Sequence, residues 1–350
     1  MYPALAVLQA ETNKNDTEVL WVGSDDGIEA DLVKRAGIEF RGIPAAGVHG
    51  VNVFSLPGRA VKIIRGYFAA KRIIREFKPD VLFFTGGYVG WPVAMAGKGI
   101  PSAVFVPDIE PGMVLNQLSR NADLVTVVCE DSLPYFTKSR RVEITGYPTR
   151  AEMKKLDKSE ALAHFGLTNE SPVLFVFGGS KGAQSINRAL CGNLPELLKH
   201  CQVIHVSGQG NWDEVNGIYQ GLSDEQKKRY KIFPYLHEDM GTAFSAADLV
   251  ISRAGASTLG EFPLFGVPAI LVPYPYAWRY QKVNADYLVS RDAGLMIRNE
   301  ELEEKMVPVV LDLFEHPEKL EKMRAAMRTL ARPDASANIM KLIRELAGKK

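Results

Sequence analysis

Short, fully apolar runs rich in β-branched residues recur along this 350-residue chain, and amphipathic segments lie between them. A strand that is apolar at successive positions has to be covered on both faces. Helices supply that cover, so the pattern demands parallel sheets in an α/β fold. Strands are expected at Glu18–Val22, Val81–Thr85, Ala103–Pro107, Leu124–Cys129, Val142–Thr145, Val173–Phe177, Gln202–Val206, Leu249–Ser252 and Ala269–Val272. Helices are expected at Arg59–Phe77, Ala183–Lys199, Ser257–Phe265, Leu302–Phe314 and Ser336–Leu346, with a charged helix over Arg150–Phe165 and a further helix opening at Met1. The alternation fills both halves and the length suits two cores. Two doubly wound, Rossmann-like domains in tandem are therefore expected, residues 1–148 and 149–333, followed by a terminal segment, 334–350. The break falls at Gly146-Tyr147-Pro148-Thr149-Arg150, where a strand runs into a turn.

Composition narrows the function classes. A formal net charge of +1 carries no whole-chain basic excess, so a nucleic-acid partner is not expected and any basic feature that matters is local. The two long uncharged stretches, Val81–Gly97 and Phe262–Trp278, are broken by Gly and Pro and are too short to span a bilayer. Cys129, Cys191 and Cys201 lack metal spacing and read as reduced, buried thiols. The six histidines are scattered, and neither a metal-ligand cluster nor a catalytic triad is legible.

In doubly wound sheets, ligands bind beyond the carboxyl ends of the strands. With two such domains the natural site is the cleft between them, and the motifs lie at strand ends. Gly178-Gly179-Ser180-Lys181-Gly182-Ala183 follows an apolar strand and opens a helix. Its glycines permit close backbone approach and the helix start offers N–H groups to a phosphate, although a plain tight turn has the same composition. Ser252-Arg253-Ala254-Gly255-Ala256-Ser257-Thr258-Leu259-Gly260-Glu261 repeats the arrangement. Thr258 and Glu261 share one helical face, so the carboxylate suits the two hydroxyls of a ribose while Arg253 suits phosphate. The alternative is an N-terminal cap. The loop from Pro273 to Tyr280 is stiff and aromatic, and Gln281 and Asn284 follow one turn apart, suited to sugar hydroxyls or to a packed surface. In the first half, Thr85-Gly86-Gly87-Tyr88-Val89-Gly90 and the pair Gly47 and Gly50 either cradle a second phosphate-bearing ligand or punctuate loops.

From Arg59 to Lys78 there are seven basic residues against the single acid Glu76, interleaved with Val61, Ile63, Ile64, Tyr67, Phe68, Ile73, Ile74 and Phe77. This is a basic amphipathic helix, preceded by the apolar stretch Val51–Leu56. It suits anionic lipid headgroups, or else packs its apolar face on the sheet.

Taken together these motifs resemble the MurG family of bacterial N-acetylglucosaminyltransferases, which make the disaccharide lipid precursor of peptidoglycan. The likeness runs through Pro3-Ala4-Leu5-Ala6-Val7, Thr85-Gly86-Gly87-Tyr88, Gly146–Arg150, Gly178–Ala183, Tyr235–Met240, Arg253–Glu261 and Gln281–Ala285. It implies the GT-B fold, with the terminal helix crossing back to the first domain. It also implies inverting transfer of GlcNAc from UDP-GlcNAc to the C4 hydroxyl of MurNAc in undecaprenyl-linked lipid I, giving lipid II for cell-wall synthesis. No cofactor and no essential metal are implied. The place of action would be the cytoplasmic side of the bacterial inner membrane, peripherally bound, with Lys62, Arg65, Arg72 and Arg75 on the membrane face.

The same resemblance assigns the donor to the second domain. Glu261 would hold the ribose, with Gly179 and Ser180 on the diphosphate and Thr258 on the same helix face. Leu236 would meet uracil through its backbone, Gln281 would read GlcNAc hydroxyls, and Arg150 and Arg253 would sit beside the nucleotide. Gly86, Gly87 and Tyr88 would belong to the acceptor side. Family members place a Gly-rich loop ending in the candidate general base, a His, just before the stretch matching Met1-Tyr2-Pro3. A chain beginning at Met1 is accordingly expected to bind UDP-GlcNAc but transfer slowly, leaving Asp108 and Tyr88 as weak catalytic candidates. Where the family commonly carries His-Glu-Gln-Asn, Asp108 stands at the Asn position. The competing readings are another lipid-directed transferase of the diacylglycerol glycosyltransferase type, a nucleotide-sugar 2-epimerase, or a UDP-sugar-binding module without activity.

Overall fold

The structure, a computed structural model, describes residues 1–11, 17–25, 27, 29–47, 56–150, 152–179 and 182–348, apart from the side chains of residues 56, 57 and 278. The chain divides into two compact units, Met1–Arg150 with Pro333–Lys350, and Ala151–Arg332.

In the first unit, β1 (Leu20–Ser24) pairs in parallel with β2 (Glu39–Ile43). A second parallel sheet runs β3 (Leu82–Phe84), β4 (Ser102–Val106), β5 (Leu124–Val127) and β6 (Val142–Ile144), in that spatial order. Val104, Val106, Val125 and Val127 are buried among Phe84, Leu115, Leu118 and Ala70, as strands covered by helices require. The helix Ala335–Leu346 packs on the first helix, Tyr2–Gln9. Arg344 of the terminal helix donates to the buried Glu11 carboxylate at 2.9 Å, which fixes the end of the chain on this unit.

The second unit holds one six-stranded parallel sheet. Its strands are β7 (Val173–Phe177), β8 (Gln202–Val206), β9 (Tyr230–Phe233), β10 (Leu249–Ser252), β11 (Ala269–Leu271) and β12 (Gly294–Met296). They lie side by side in the order β12-β11-β10-β7-β8-β9. The chain thus winds outward in one direction from β7 and in the other from β10, and these two central strands pair with each other. All five residues of β7 and all four of β10 are buried, which their uninterrupted apolar character requires.

Five elements depart from the sequence expectations. The first strand lies at Leu20–Ser24, two residues beyond Glu18–Val22. β2, β9 and β12 were not expected; each is short or carries polar residues and pairs on one side only. The charged helix over Arg150–Phe165 is confined to Lys158–His164. Asp157 caps that helix by accepting from the Ser159 N–H at 2.9 Å. Upstream of the cap, the backbone is committed to the neighbouring helix Met240–Ala246: Leu156 N–H donates to Ser245 Oγ at 3.1 Å, and Gly241 leaves room for the Lys154 carbonyl. No described helix is long and apolar enough to cross a membrane.

Candidate functional site

The reversal of strand order between β7 and β10 is the point at which a doubly wound sheet opens a crevice for a ligand. Phe177 and Ser252 are paired neighbours at the ends of these strands. One residue further on, each strand enters its glycine-containing loop, so the two strongest sequence motifs are brought together.

On the β7 side, Gly179 and Gly182 have φ of +85° and +74°, a left-handed conformation that favours glycine. The Gly182 N–H closes the turn on the Gly179 carbonyl at 2.9 Å. A side chain at Gly178 would collide with Ala183 N, and one at Gly182 with the Ser207 carbonyl oxygen. Ser180 and Lys181 lie outside the described residues. The helix that follows, Gln184–His200, has Ala183 at its N-cap and no side-chain cap bond. Its first N–H groups and its dipole are therefore directed at the end of the sheet, an arrangement suited to an anion.

On the β10 side, the helix Thr258–Phe265 has Ser257 at its N-cap, which makes no side-chain cap bond. Thr258 is buried and its hydroxyl donates to the Gly255 carbonyl at 2.7 Å. Glu261 is buried in the first turn of the same helix.

Arg253 is largely enclosed. Its Nη1 donates to the Val272 carbonyl at 3.1 Å and to Asn299 Oδ1 at 2.9 Å, and its Nη2 donates to Ser185 Oγ at 2.7 Å. The guanidinium also lies 5.2 Å from the centre of the Tyr274 ring. Burial lowers its proton affinity, the Tyr274 hydroxyl opposing this, but an arginine stays charged. Arg253 Nε is buried without a hydrogen-bond partner. Arg253 therefore sews the ends of β10 and β11 to the start of the Gln184–His200 helix and holds a fixed positive charge there. Neither Ser185 nor Asn299 was singled out in the sequence: Ser185 trails the glycine loop unremarked, and Asn299 has no local signal.

Gln281 Oε1 accepts from the Tyr274 N–H at 2.8 Å, which anchors the aromatic loop. Asn284, expected beside it on a sugar-facing surface, is instead fully buried and donates to the Ala254 carbonyl at 3.1 Å. Its amide is consumed in holding the β10 loop. The Leu236 side chain is buried, so what it can offer a ligand in the loop after β9 is backbone.

In the first unit, Gly86 and Gly87 have φ of +116° and +84° just beyond β3, and Tyr88 next to them is exposed. Gly47, in the loop after β2, lies beside Tyr88, and its carbonyl accepts from Arg59. Asp108 follows β4, the partner of β3, so these loops share one end of the sheet. Arg150 belongs to this unit, with its guanidinium 4.9 Å from the centre of the Tyr2 ring. Val48, His49, Gly50 and the apolar residues 51–55 lie outside the described residues. No group of three or more His, Cys, Asp or Glu among the described residues converges as a metal site would.

The basic helix is observed over Leu56–Phe77. Its second half packs Ala70, Ile73 and Ile74 on the sheet, as the structural reading requires. Val61, Ile64 and Phe68 of the same helix are instead exposed, at 54%, 56% and 62%. Lys62, Arg65, Arg72 and Arg75 are exposed on the same helix, and Arg72 is paired with Glu76 at 2.9 Å.

Comparison with known proteins agrees with this architecture. The glycosyltransferase family 28 N-terminal domain matches residues 1–125 and the family 28 C-terminal domain matches residues 173–339. The chain belongs to glycosyltransferase family 28. A relative from Desulforamulus reducens is 37% identical across 99% of this chain and 95% of its own length. One from Roseiflexus sp. (strain RS-1) is 36% identical across 93% and 83%. Both are named UDP-N-acetylglucosamine--N-acetylmuramyl-(pentapeptide) pyrophosphoryl-undecaprenol N-acetylglucosamine transferase. The crystal structure of Acinetobacter baumannii MurG is similar with a TM-score of 0.77 and 26% identity, over 98% of this chain and 95% of that one. A UDP-GlcNAc 2-epimerase from Neisseria meningitidis, at 11% identity and a TM-score of 0.66, shares the fold alone. The family 28 protein described here is a hexosyltransferase with a two-domain, GT-B-like α/β fold.

Proposed function

We propose that this protein transfers GlcNAc from UDP-GlcNAc to the C4 hydroxyl of MurNAc in undecaprenyl-linked lipid I, with inversion. The observation that carries the reading is that two strand-to-helix loops and the Arg253 charge meet at the β7/β10 switch point. The activity named for relatives that match along nearly the whole chain gives that site its substrate.

The diphosphate would sit at the Gly178–Gly182 turn and the start of the following helix. Glu261 would hold the ribose hydroxyls with Thr258 behind it, Leu236 would meet the base through its backbone, and Gln281 would face the sugar. Gly86, Gly87 and Tyr88 would take the acceptor. In the reaction, the C4 hydroxyl gives its proton to a base and its oxygen attacks C1 from the face opposite UDP. The C1–oxygen bond to the β-phosphate breaks as the new bond forms, and UDP leaves. Negative charge grows on the departing diphosphate, where helix N–H groups and the buried guanidinium stabilise it. Of the described residues, Asp108 and Tyr88 are the candidates for the base.

The test is transfer of labelled GlcNAc from UDP-GlcNAc to lipid I in the presence of EDTA. Label in the lipid product is expected, and its absence with lipid I but appearance on diacylglycerol would assign a different acceptor.

The exposed apolar residues Val61, Ile64 and Phe68 and the basic residues beside them on this helix support peripheral binding to the cytoplasmic face of the inner membrane. Replacing Lys62, Arg65, Arg72 and Arg75 by Gln is expected to weaken binding to anionic vesicles by about 1 kcal/mol per charge. Arg72 should contribute least, because Glu76 already holds it. UDP affinity should be unchanged. Vesicle binding equal to that of the parent protein would remove this helix from the membrane contact.

A further inference from the structure

His205 is fully buried as the penultimate residue of β8, and no step of the proposed reaction uses it. It belongs to a hydrogen-bonded chain whose direction can be deduced. Asn187, in the first turn of the Gln184–His200 helix, donates its Nδ2 to the Ser207 carbonyl at 2.9 Å. With the amino group committed there, Oδ1 faces His205 Nε2 at 3.0 Å and must accept. Nε2 therefore carries the ring proton. Nδ1 of the neutral imidazole is then an acceptor, and it takes the Tyr230 hydroxyl proton at 2.7 Å. Burial keeps the imidazole neutral, lowering His205 to about 3, and it raises Tyr230.

The chain ends on the Ser207 carbonyl, against which the glycine turn closes. A Cβ at Gly182 would lie 2.3 Å from that oxygen, and Asn211 Nδ2 also donates to it at 3.3 Å. Turned over, the Asn187 amide would set its oxygen against this carbonyl and push the helix start away from the end of β8. The carbonyl thus selects the amide orientation, and His205 Nε2, by donating to Oδ1, holds the amide in it.

We infer that His205 is a positioning residue for the donor diphosphate: by bonding the amide of Asn187 it holds Gly182 and the start of the following helix on Ser207. The inference rests on the proposal that UDP binds at this turn. It requires no contact between His205 and the ligand.

The test is titration of the full chain with UDP, using His205→Phe, His205→Gln, Asn187→Ala and the double variant His205→Phe/Asn187→Ala. Each is first shown to be folded by circular dichroism. His205→Phe keeps the shape of the ring but removes both hydrogen bonds, so the UDP Kd and the KM for UDP-GlcNAc are expected to rise about tenfold. His205→Gln restores an N–H toward Asn187 and should return both to within about threefold. Asn187→Ala should match the His205→Phe loss, and the double variant should add little to it, because the two residues act through one strut. If His205→Phe does not fold, Asn187→Ala carries the test with the same expected loss. Parent-like UDP affinity in a folded His205→Phe or Asn187→Ala protein overturns the inference while leaving the donor site intact. Failure of the parent protein to bind UDP overturns the donor reading, and the inference with it.

Discussion

Gly182→Ala is expected to weaken UDP binding by about 2–4 kcal/mol while leaving the fold in place. Two costs combine. A φ of +74° disfavours any residue with a Cβ, and holding one there costs about 1–3 kcal/mol. The added carbon would also stand 2.3 Å from the Ser207 carbonyl oxygen. That oxygen is backbone, already held by Asn187, so it cannot swing aside as a flexible side chain would. The turn has to move, and the helix N–H groups proposed to meet the diphosphate move with it. Gly179 makes the internal comparison. It too has positive φ, but a Cβ there meets nothing within 4 Å, so Gly179→Ala carries only the backbone cost. UDP titrations of the two variants, with thermal melts, check the order. Equal and small losses would mean that the turn is not a rigid seat for phosphate.

The sheet of the second unit was legible because its central strands are unbroken apolar runs bounded by small residues; Val173–Phe177, Gln202–Val206 and Leu249–Ser252 have the expected bounds. The edge strands were not. Tyr230–Phe233 contains Lys231 and Gly294–Met296 is three residues long, because a strand paired on one side need not be apolar throughout. The location of the site was legible from glycines at strand ends. The division of labour inside it was not. Arg253 and Asn284 read as ligand contacts by type and spacing, yet both spend hydrogen bonds on loop carbonyls. His205 looked like one scattered histidine, because its partners Asn187 and Tyr230 are distant in sequence and meet it only across the sheet. The exposed apolar start of the basic helix was readable only as one of two alternatives, since periodicity shows that a face is apolar but not what covers it.

Glu261→Ala addresses the donor site from the other central strand. A carboxylate that accepts from both hydroxyls of a ribose makes charge-assisted bonds, and its removal leaves those hydroxyls without a charged acceptor in a water-poor site. The expected loss is about 1–3 kcal/mol in UDP affinity, or about fivefold to about 150-fold in Kd. Glu261 is buried in the first turn of its helix, so circular dichroism first establishes that the variant is folded. The account rests on the nucleotide being held at the β7/β10 switch point, and isothermal titration of the parent chain and Glu261→Ala with UDP-GlcNAc tests this directly. The predicted result is saturable binding to the parent and a Kd at least about fivefold higher in the variant. The same Kd in both proteins would contradict the assignment of the donor to this site.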